Sequence, residues 1–266
     1  MNRHDRLSAI LGMVVEAGGV SVAEIVDRLG VSPATARRDL DRLAEQQLVI
    51  RTRGGASANP SSAELPLRYR TTRMGDEKTR IARAAAALVS PGDTVGLNGG
   101  TTTTEVAREI ALLPALGTPT APVTVVTNAV NIASELTVRQ GVRVVVTGGV
   151  ARSRSYELTG PLSDLILPSI SVGTLFLGAE GLDGRAAYAQ HEGEAAVNGA
   201  FVRAARRVVA VVDSSKLGQQ AFAVICETSA IDLLLTDEGA TEAGGSAQSL
   251  DDLVDPGPAR GGVGAG

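Results

Sequence analysis

The sequence predicts a small all-α N-terminal domain with a β wing, followed by a larger α/β domain with a mostly parallel sheet. Three observations lead to this prediction. Helix-capping residues recur through the first 46 residues, a short β-like pair with a Gly-Gly turn follows, and beyond residue 76 apolar β-like runs alternate with helical patterns. With 266 residues, 44% of them apolar, the chain is long enough to form a core in each domain.

Three helices and a β wing are predicted between residues 1 and 57. Apolar residues share one face of a helix over about residues 3–18, and two shorter helices cover about residues 22–29 and 33–46. Residues 48–53 read as a short strand pair that turns at Gly54-Gly55. The order helix, helix, tight turn, helix and wing is that of a winged helix-turn-helix domain.

Capping residues mark the helix boundaries. Ser21 and Glu24 have the spacing of a capping box, in which each side chain bonds the backbone N–H of the other's position. Gly30 ends the second helix, and Ser32 followed by Pro33 is an N-cap with proline at the first helical position. The third helix therefore begins at a defined residue.

The exposed face of the third helix carries guanidinium groups. On a helical wheel, Ala36, Leu40 and Leu43 face the core, and Asp39 falls on a flank. The N-terminal part of the second helix of such a motif enters the major groove, where arginine suits guanine O6 and N7, and wing arginines suit phosphates. The predicted DNA-binding residues are Ser32, Thr35, Arg37, Arg38, Arg42, Arg51 and Arg53. The alternative is that Arg37 pairs with Asp41 and that the other arginines are merely solvated.

The charge distribution favours the DNA interpretation. The whole chain has a formal charge of −4, but residues 1–60 carry eight arginines and seven acidic residues. Five of those arginines lie between Arg37 and Arg53. A local basic patch on an acidic protein is typical of a small module that reads nucleic acid.

The second domain is expected over residues 76–238. Residues 58–75 contain Pro60, Pro66 and several serines and read as a linker, and residues 239–266 are Gly- and Ala-rich and read as a flexible tail. Alternating strands and helices indicate right-handed crossovers and a parallel sheet. The predicted strands are residues 94–97, 123–127, 142–147, 174–177, 208–212 and 232–235.

Small and hydrogen-bonding residues follow four of these strands, where ligands of open parallel sheets bind. The glycines Gly99-Gly100 precede the start of a helix, and such a helix start can bind phosphate. Thr102 and Glu105 there fit a capping box, and the alternative is that Glu105 points away. Lys216 follows another strand and would be a counter-charge for the phosphate. The alternatives are a plain strand-to-helix turn and a solvent-facing lysine. The predicted effector-binding residues are Asn98, Gly100, Thr101, Thr102, Thr127, Asn128, Gly148, Gly149 and Lys216.

Both halves resemble the DeoR-type transcriptional regulators. In the first half, the string TARRDL at residues 35–40 and the RGGA at 53–56 carry the resemblance, with Ala36 where the family usually has isoleucine. In the second half, the matching pieces are Glu77-Lys78, Ile81-Ala82, Pro91-Gly92-Asp93, Gly100-Thr101-Thr102, residues 125–128, Gly148-Gly149, residues 176–179, Glu194-Ala195 and residues 213–216.

The resemblance implies a repressor of carbohydrate-metabolism genes whose second domain binds a phosphorylated sugar and is similar in fold to ribose-5-phosphate isomerase. Two departures bear on the ligand. Asn98 stands where the family usually has aspartate, and Asn198 stands where it frequently has lysine. We therefore expect double-stranded operator DNA and a sugar phosphate as partners of a homodimer or homotetramer.

Other functions find less support. An isomerase-like enzyme is the alternative, with Glu180, Glu192 and Glu194 as candidate bases, but Leu177 stands at the first acidic position of the isomerase loop. A second domain that only oligomerises is a third possibility. With His4 and His191 far apart and Cys226 as the single cysteine, no metal or cofactor is expected. The N-terminus lacks a secretory apolar region and no run reaches about 20 apolar residues, so a cytoplasmic location is expected and no membrane contact.

Overall fold

The chain divides into two compact units, one with the residues up to Gly75 together with Ser153–Ser155, and the other with the remaining residues from Asp76 onward. The structure, a computed structural model, describes residues 3–46, 48–59, 75–113 and 121–241. Most of the predicted linker and nearly all of the predicted tail therefore lie outside the described residues. Within the described ranges, no helix combines the length and the apolar character needed to cross a bilayer.

The N-terminal unit contains the three predicted helices and a three-stranded sheet. The helices are α1 (Arg3–Ala17), α2 (Val22–Leu29) and α3 (Pro33–Glu45), and the strands are β1 (Gly19–Ser21), β2 (Val49–Thr52) and β3 (Gly55–Ala58). The predicted wing pair is confirmed as antiparallel β2 and β3, and β1 pairs with the other side of β3. Strand β1 was not predicted, because a three-residue strand has no periodic pattern of its own.

The inner faces of all three helices meet in one core. Ala36, Leu40 and Leu43 of α3 are fully buried, as the helical wheel predicts, and they pack with Ile10, Leu11 and Ile25 of α1 and α2. This packing sets the rotation of α3 about its axis. The opposite face of α3 is therefore held toward solvent.

Asp39, which the wheel places on a flank of α3, has a contact that the wheel does not predict. It is only 2% exposed because Arg6 of α1 reaches it, with Arg6 Nε 2.5 Å from Asp39 Oδ2. The hydrogen bond that Arg6 donates to the Asp39 carboxylate also raises the pKa of the Arg6 guanidinium above its ordinary value. This ion pair links α3 to α1 next to the apolar core.

The second unit is built on a six-stranded parallel sheet, and all six predicted strands are confirmed. The central strands are β4 (Thr94–Leu97), β5 (Val123–Thr127), β6 (Val142–Val146), β9 (Val172–Leu177), β12 (Ala205–Val211) and β14 (Leu233–Leu235), in the order β14-β12-β9-β4-β5-β6. The helices are α4 (Gly75–Ala86), α5 (Thr101–Ala111), α6 (Val130–Leu136), α7 (Pro161–Ile166) and α8 (Glu192–Ala204). Buried clusters around Ile110 and Phe201 contain different strand residues and form two separate cores.

Short strands outside this sheet were not predicted. The strands β7 (Val150–Ala151) and β8 (Leu158–Thr159) form a two-stranded ribbon, and β10 (Gly181–Leu182), β11 (Ala186–Ala189) and β13 (Ala223–Glu227) form an antiparallel sheet. Four 3₁₀ turns complete the described structure, at Leu167–Ser169, Ser214–Lys216, Thr228–Ala230 and Glu238–Thr241. Strands of two residues depend on their partners and leave little signal in the sequence.

The strand order places a switch point at β4. Strand β4 pairs with β5 on one side and with β9 on the other, and both pairings are parallel. The chain leaves β4 toward β5, whereas β9 is reached only after β6. Loops leaving β4 and β9 therefore diverge, which opens a crevice beyond the carboxyl ends of these strands. We call this side of the sheet the carboxyl edge.

Replacement of Asp39 by alanine tests the ion pair inside the N-terminal unit. We expect Asp39→Ala to lower the free energy of unfolding of this unit by about 3 kcal/mol, because it leaves a largely buried guanidinium without its partner. The control is Asp41→Ala, which breaks the exposed pair with Arg51 and should cost no more than about 1 kcal/mol. Urea unfolding followed by circular dichroism measures both, and equal losses would contradict the prediction.

Candidate functional site

The start of α3 is held by its own hydroxyl groups. Ser32 is the N-cap, and its Oγ accepts a hydrogen bond from the Thr35 backbone N–H at 3.1 Å. The Ser32 and Thr35 hydroxyl oxygens lie 2.9 Å apart. Pro33 occupies the first turn, so the backbone here is restricted before anything binds.

The arginines of α3 point away from the protein. Arg37, Arg38 and Arg42 are exposed, and among the residues that the structure describes none of them forms an ion pair or a side-chain hydrogen bond. The alternative pairing of Arg37 with Asp41 is not formed, because Asp41 Oδ1 accepts from Arg51 Nε at 2.8 Å. Three guanidinium groups thus stand on one rigid helix with their donors unused.

The two wing arginines have different surroundings. Arg51 is half-buried, pairs with Asp41 and donates to the Gly55 carbonyl oxygen, so it connects the wing to α3. Arg53 is exposed next to Gly54, whose φ of 95° makes the tight turn of the wing. Of the two predicted phosphate contacts, Arg53 is therefore the more available, and Arg51 would first have to leave its partners.

In the second unit, residues 98–104 form a glycine–threonine turn between β4 and α5. Gly100 is the N-cap of α5 with a φ of 151°, and no side chain caps the helix. Thr103 and Thr104 donate their hydroxyls to the Gly100 carbonyl oxygen at 3.2 and 2.6 Å. The first-turn N–H groups of such a helix have no carbonyl partner within the helix, and they can bind an anion.

The capping box of Thr102 and Glu105 is not formed, and the alternative, in which Glu105 points away, is confirmed. The N-cap is Gly100 and not Thr102, so Thr102 already lies inside α5 and is buried. Glu105 instead accepts from Arg108 at 2.6 Å. The Thr101 hydroxyl forms no hydrogen bond within the described residues and is partly exposed.

Asn98 has a structural contact that the sequence analysis did not anticipate. Its Nδ2 donates to the Gly178 carbonyl oxygen at 3.0 Å, and its Oδ1 accepts from the Gly178 N–H at 2.8 Å. Both bonds join the carboxyl ends of β4 and β9, and Asn98 is 1% exposed. In this conformation both polar atoms of the Asn98 amide are bonded to Gly178 and are not available to a ligand.

Thr127, the last residue of β5, and Asn128, which follows it, are both fully buried. Thr127 Oγ1 accepts from the Ala129 N–H at 3.0 Å, and Asn128 Nδ2 donates to Glu157 Oε2 at 3.0 Å. Backbone bonds between residues 156–158 and residues 128–130 place Glu157 there. Tyr156 has a φ of 62°, which is rare for a non-glycine residue and shapes this crossing.

Gly148 and Gly149 after β6 are needed for the backbone. Their φ values are 83° and 120°, and a Cβ on Gly149 would lie 2.5 Å from Ser163 Oγ. The Ser163 hydroxyl donates to the Gly148 carbonyl oxygen at 2.6 Å. The glycines therefore allow close packing of the start of α7, in addition to any role in binding.

The lysine after β12 is already paired. Lys216 Nζ lies 2.7 Å from Glu180 Oε2, which follows β9, and both side chains are about one-third exposed. Lys78 of α4, which was not among the predicted site residues, has its Nζ 3.6 Å from Asp213 Oδ2 in a buried pair. Glu194 pairs with Arg152 at 2.9 Å, whereas the Glu192 side chain is 72% exposed.

The described residues offer neither a cluster of metal ligands nor a reactive cysteine. No group of three or more His, Cys, Asp or Glu side chains in these ranges could hold a metal ion. Burial raises the pKa of the Cys226 thiol to about 11, so the nucleophilic thiolate is scarce at neutral pH.

Replacement of Asn98 by aspartate tests the bond across the switch point. We expect Asn98→Asp to lower the free energy of unfolding of the second unit by about 2 kcal/mol, because a carboxylate cannot donate to the Gly178 carbonyl oxygen and places two acceptors together. Chemical denaturation of the full chain measures this loss. Unchanged stability would mean that the two hydrogen bonds between Asn98 and Gly178 contribute nothing to the free energy of unfolding.

Comparisons with known proteins agree with this two-unit architecture. A model of the DeoR-like helix-turn-helix domain matches residues 6–62, and a model of the DeoR C terminal sensor domain matches residues 73–238. The glycerol-3-phosphate regulon repressor of Escherichia coli (strain K12) is 34% identical over 238 residues, which cover 89% of this chain and 92% of that protein.

Two further proteins extend the comparison. The HTH-type transcriptional repressor GlcR of Bacillus subtilis (strain 168) is 33% identical over 239 residues, 89% of each chain. The solved ribose 5-phosphate isomerase A of Methanocaldococcus jannaschii has a TM-score of 0.40 and 19% identity, covering 54% of this chain and 55% of that chain. The two family models and the curated relatives confirm the resemblance found in the sequence: the chain belongs to the DeoR family of transcriptional regulators, with a helix-turn-helix domain followed by a sensor domain.

Proposed function

We propose that this protein is a transcriptional repressor that binds operator DNA through α3 and is released by a phosphorylated sugar bound at the carboxyl edge of the second unit. The observation that carries the DNA half is the set of exposed arginines on α3, a helix fixed by its buried face. The relatives named as repressors support the direction of control. The same names disfavour the isomerase-like enzyme.

Base reading requires donors in fixed positions. The Ser32 cap, Pro33 and the Arg6–Asp39 pair fix α3, while Arg37, Arg38 and Arg42 keep their donors free. Each bidentate contact of an arginine with guanine discriminates by about 1–3 kcal/mol. Arg53 on the wing fits a phosphate contact that positions the helix without reading sequence.

The glycine–threonine turn supports the effector half of the proposal. It combines an uncapped helix start with the free hydroxyl of Thr101, at the switch point where ligands of parallel sheets bind. Lys216 follows β12 at the same edge. On ligand binding, its ammonium group would leave the Glu180 carboxylate and pair with a phosphate oxygen. The name of the E. coli relative, a glycerol-3-phosphate regulon repressor, also points to a phosphorylated ligand.

Release follows from linkage. If the effector prefers the form of the protein that does not bind the operator, a coupling free energy of about 1–3 kcal/mol weakens DNA binding roughly 5–150-fold. The same coupling makes operator DNA weaken effector binding by the same factor. We propose a homodimer or homotetramer, because two recognition helices match paired half-sites.

Arg38→Ala tests base reading. We expect this variant to lose about tenfold or more of the preference for a DNA site selected from a random pool over unselected DNA, since one bidentate contact is removed. Arg53→Ala should weaken binding to both DNAs alike. The matched control is Arg139→Ala, which removes an exposed arginine from the second unit and should change neither value. Fluorescence anisotropy measures the affinities, and full selectivity in Arg38→Ala would contradict base reading by this residue.

Thr101→Val tests the effector site. We expect about tenfold more sugar phosphate to be needed for half-release of DNA in a gel-shift titration, because a hydrogen bond to a charged group is lost. Lys216→Ala should act in the same direction. Thr94→Val, at the opposite end of β4, is the matched control and should respond as the wild type does. A normal response in both site variants would place the ligand elsewhere.

A further inference from the structure

A buried acceptor cluster lies at the carboxyl edge beside the glycine–threonine turn. It consists of Asn128, Glu157 and Asn198. The Nδ2 atoms of both asparagines donate to the same oxygen, Glu157 Oε2, at 3.0 and 3.4 Å. The three residues come from the end of β5, from the segment before β8 and from α8.

Their contacts with Glu157 determine how both amides are turned. Because each Nδ2 faces Glu157 Oε2, the Oδ1 of the same planar amide points in a different direction within that plane, away from this oxygen. Within the described part of the chain, neither Oδ1 has a hydrogen-bond partner, although Asn128 is fully buried and Asn198 is 2% exposed. Buried polar atoms are nearly always paired, so two unpaired amide oxygens beside one carboxylate indicate a missing donor.

The cluster is adjacent to the proposed phosphate site. A Cβ on Gly99 would lie 2.2 Å from Glu157 Cγ and 2.7 Å from Glu157 Oε1. The absence of a side chain at Gly99 therefore lets Glu157 lie against the glycine–threonine turn. The turn and the cluster are therefore in contact at Gly99.

We propose that Asn128, Glu157 and Asn198 form the subsite that receives the hydroxyl groups of the sugar phosphate and thereby selects the sugar. This inference rests on the proposed function and assigns its specificity to named side chains. The carboxylate and the amide oxygens all accept, and sugar hydroxyls supply the matching donors. The negative charge of Glu157 repels a phosphate, which orients the phosphate toward the start of α5.

A site of this kind discriminates strongly against an analogue that lacks a hydroxyl. A missing hydroxyl leaves a buried acceptor unpaired in the complex, which costs more affinity than a lost apolar contact does. The sequence signal was weak, because Glu157 lies in an irregular segment and meets both asparagines only through the fold.

The test compares each sugar phosphate with its deoxy partner. Calorimetry on the full chain uses ribose 5-phosphate against 2-deoxyribose 5-phosphate, glucose 6-phosphate against 2-deoxyglucose 6-phosphate, and inorganic phosphate as the probe of the turn alone. We expect the wild type to prefer the parent sugar by about tenfold or more in at least one pair. Glu157→Gln and Asn198→Ala should reduce that preference to about threefold or less while leaving the affinity for inorganic phosphate unchanged.

The control is Glu135→Gln, a matched change on α6 where Glu135 pairs with Arg108, and it should keep the wild-type preference. Thermal unfolding verifies that each variant is folded; if one variant fails to fold, the wild-type comparison and the other variant decide. An unchanged preference in both folded variants, or equal binding of both members of every pair by the wild type, would overturn the subsite.

A gel shift with operator DNA distinguishes failure of the subsite from failure of the proposed function. If the sugar phosphates still release DNA when the preference is unaffected by the variants, the proposed function stands and the subsite fails. If none of the sugar phosphates binds or releases DNA, the proposed function fails and the subsite fails with it.

Discussion

Parallel pairing of β4 with both β5 and β9 is the constraint on which the second unit depends. In a parallel sheet all carboxyl ends lie on one side, so the polar residues that follow six strands are brought to one edge. The two loops that leave β4 and β9 diverge, and Asn98 joins the strand ends beneath them through two hydrogen bonds with Gly178. The glycine–threonine turn and the acceptor cluster are both positioned at this edge.

In the N-terminal unit, the constraint is the orientation of α3, which is fixed by contacts on its buried side. A helix that reads DNA has to keep its donors unpaired while its orientation is held. Buried Ala36, Leu40 and Leu43 and the pair between Arg6 and Asp39 hold α3 from its inner side. Arg51 donates to Asp41, the carboxylate that could otherwise have paired with Arg37. The arginines on the exposed face of α3 therefore stay unpaired within the described residues.

Most of the polar residues discussed at the carboxyl edge make contacts that stabilise the fold, whether or not they also contact a ligand. The Asn98 amide, the Thr127 hydroxyl and the two glycines after β6 all satisfy or allow backbone contacts. Thr101 and the first turn of α5 differ, because they have hydrogen-bonding groups left over. The pairs Lys216–Glu180 and Lys78–Asp213 place opposite charges at this edge, where an anionic ligand would compete for the lysines.

The sequence by itself determined the elements with a strong local cause. Capping residues and apolar periodicity defined α1, α2, α3 and the wing, and apolar runs located the six strands of the main sheet, because these patterns depend on near neighbours in the chain. Only the tertiary structure decided which polar side chains remain available. Arg6 meets Asp39 across 33 positions, Asn98 meets Gly178 across 80, and Glu157 meets Asn198 across 41. Hydrogen bonds between such distant residues follow from strand order and helix packing, and no local pattern encodes them.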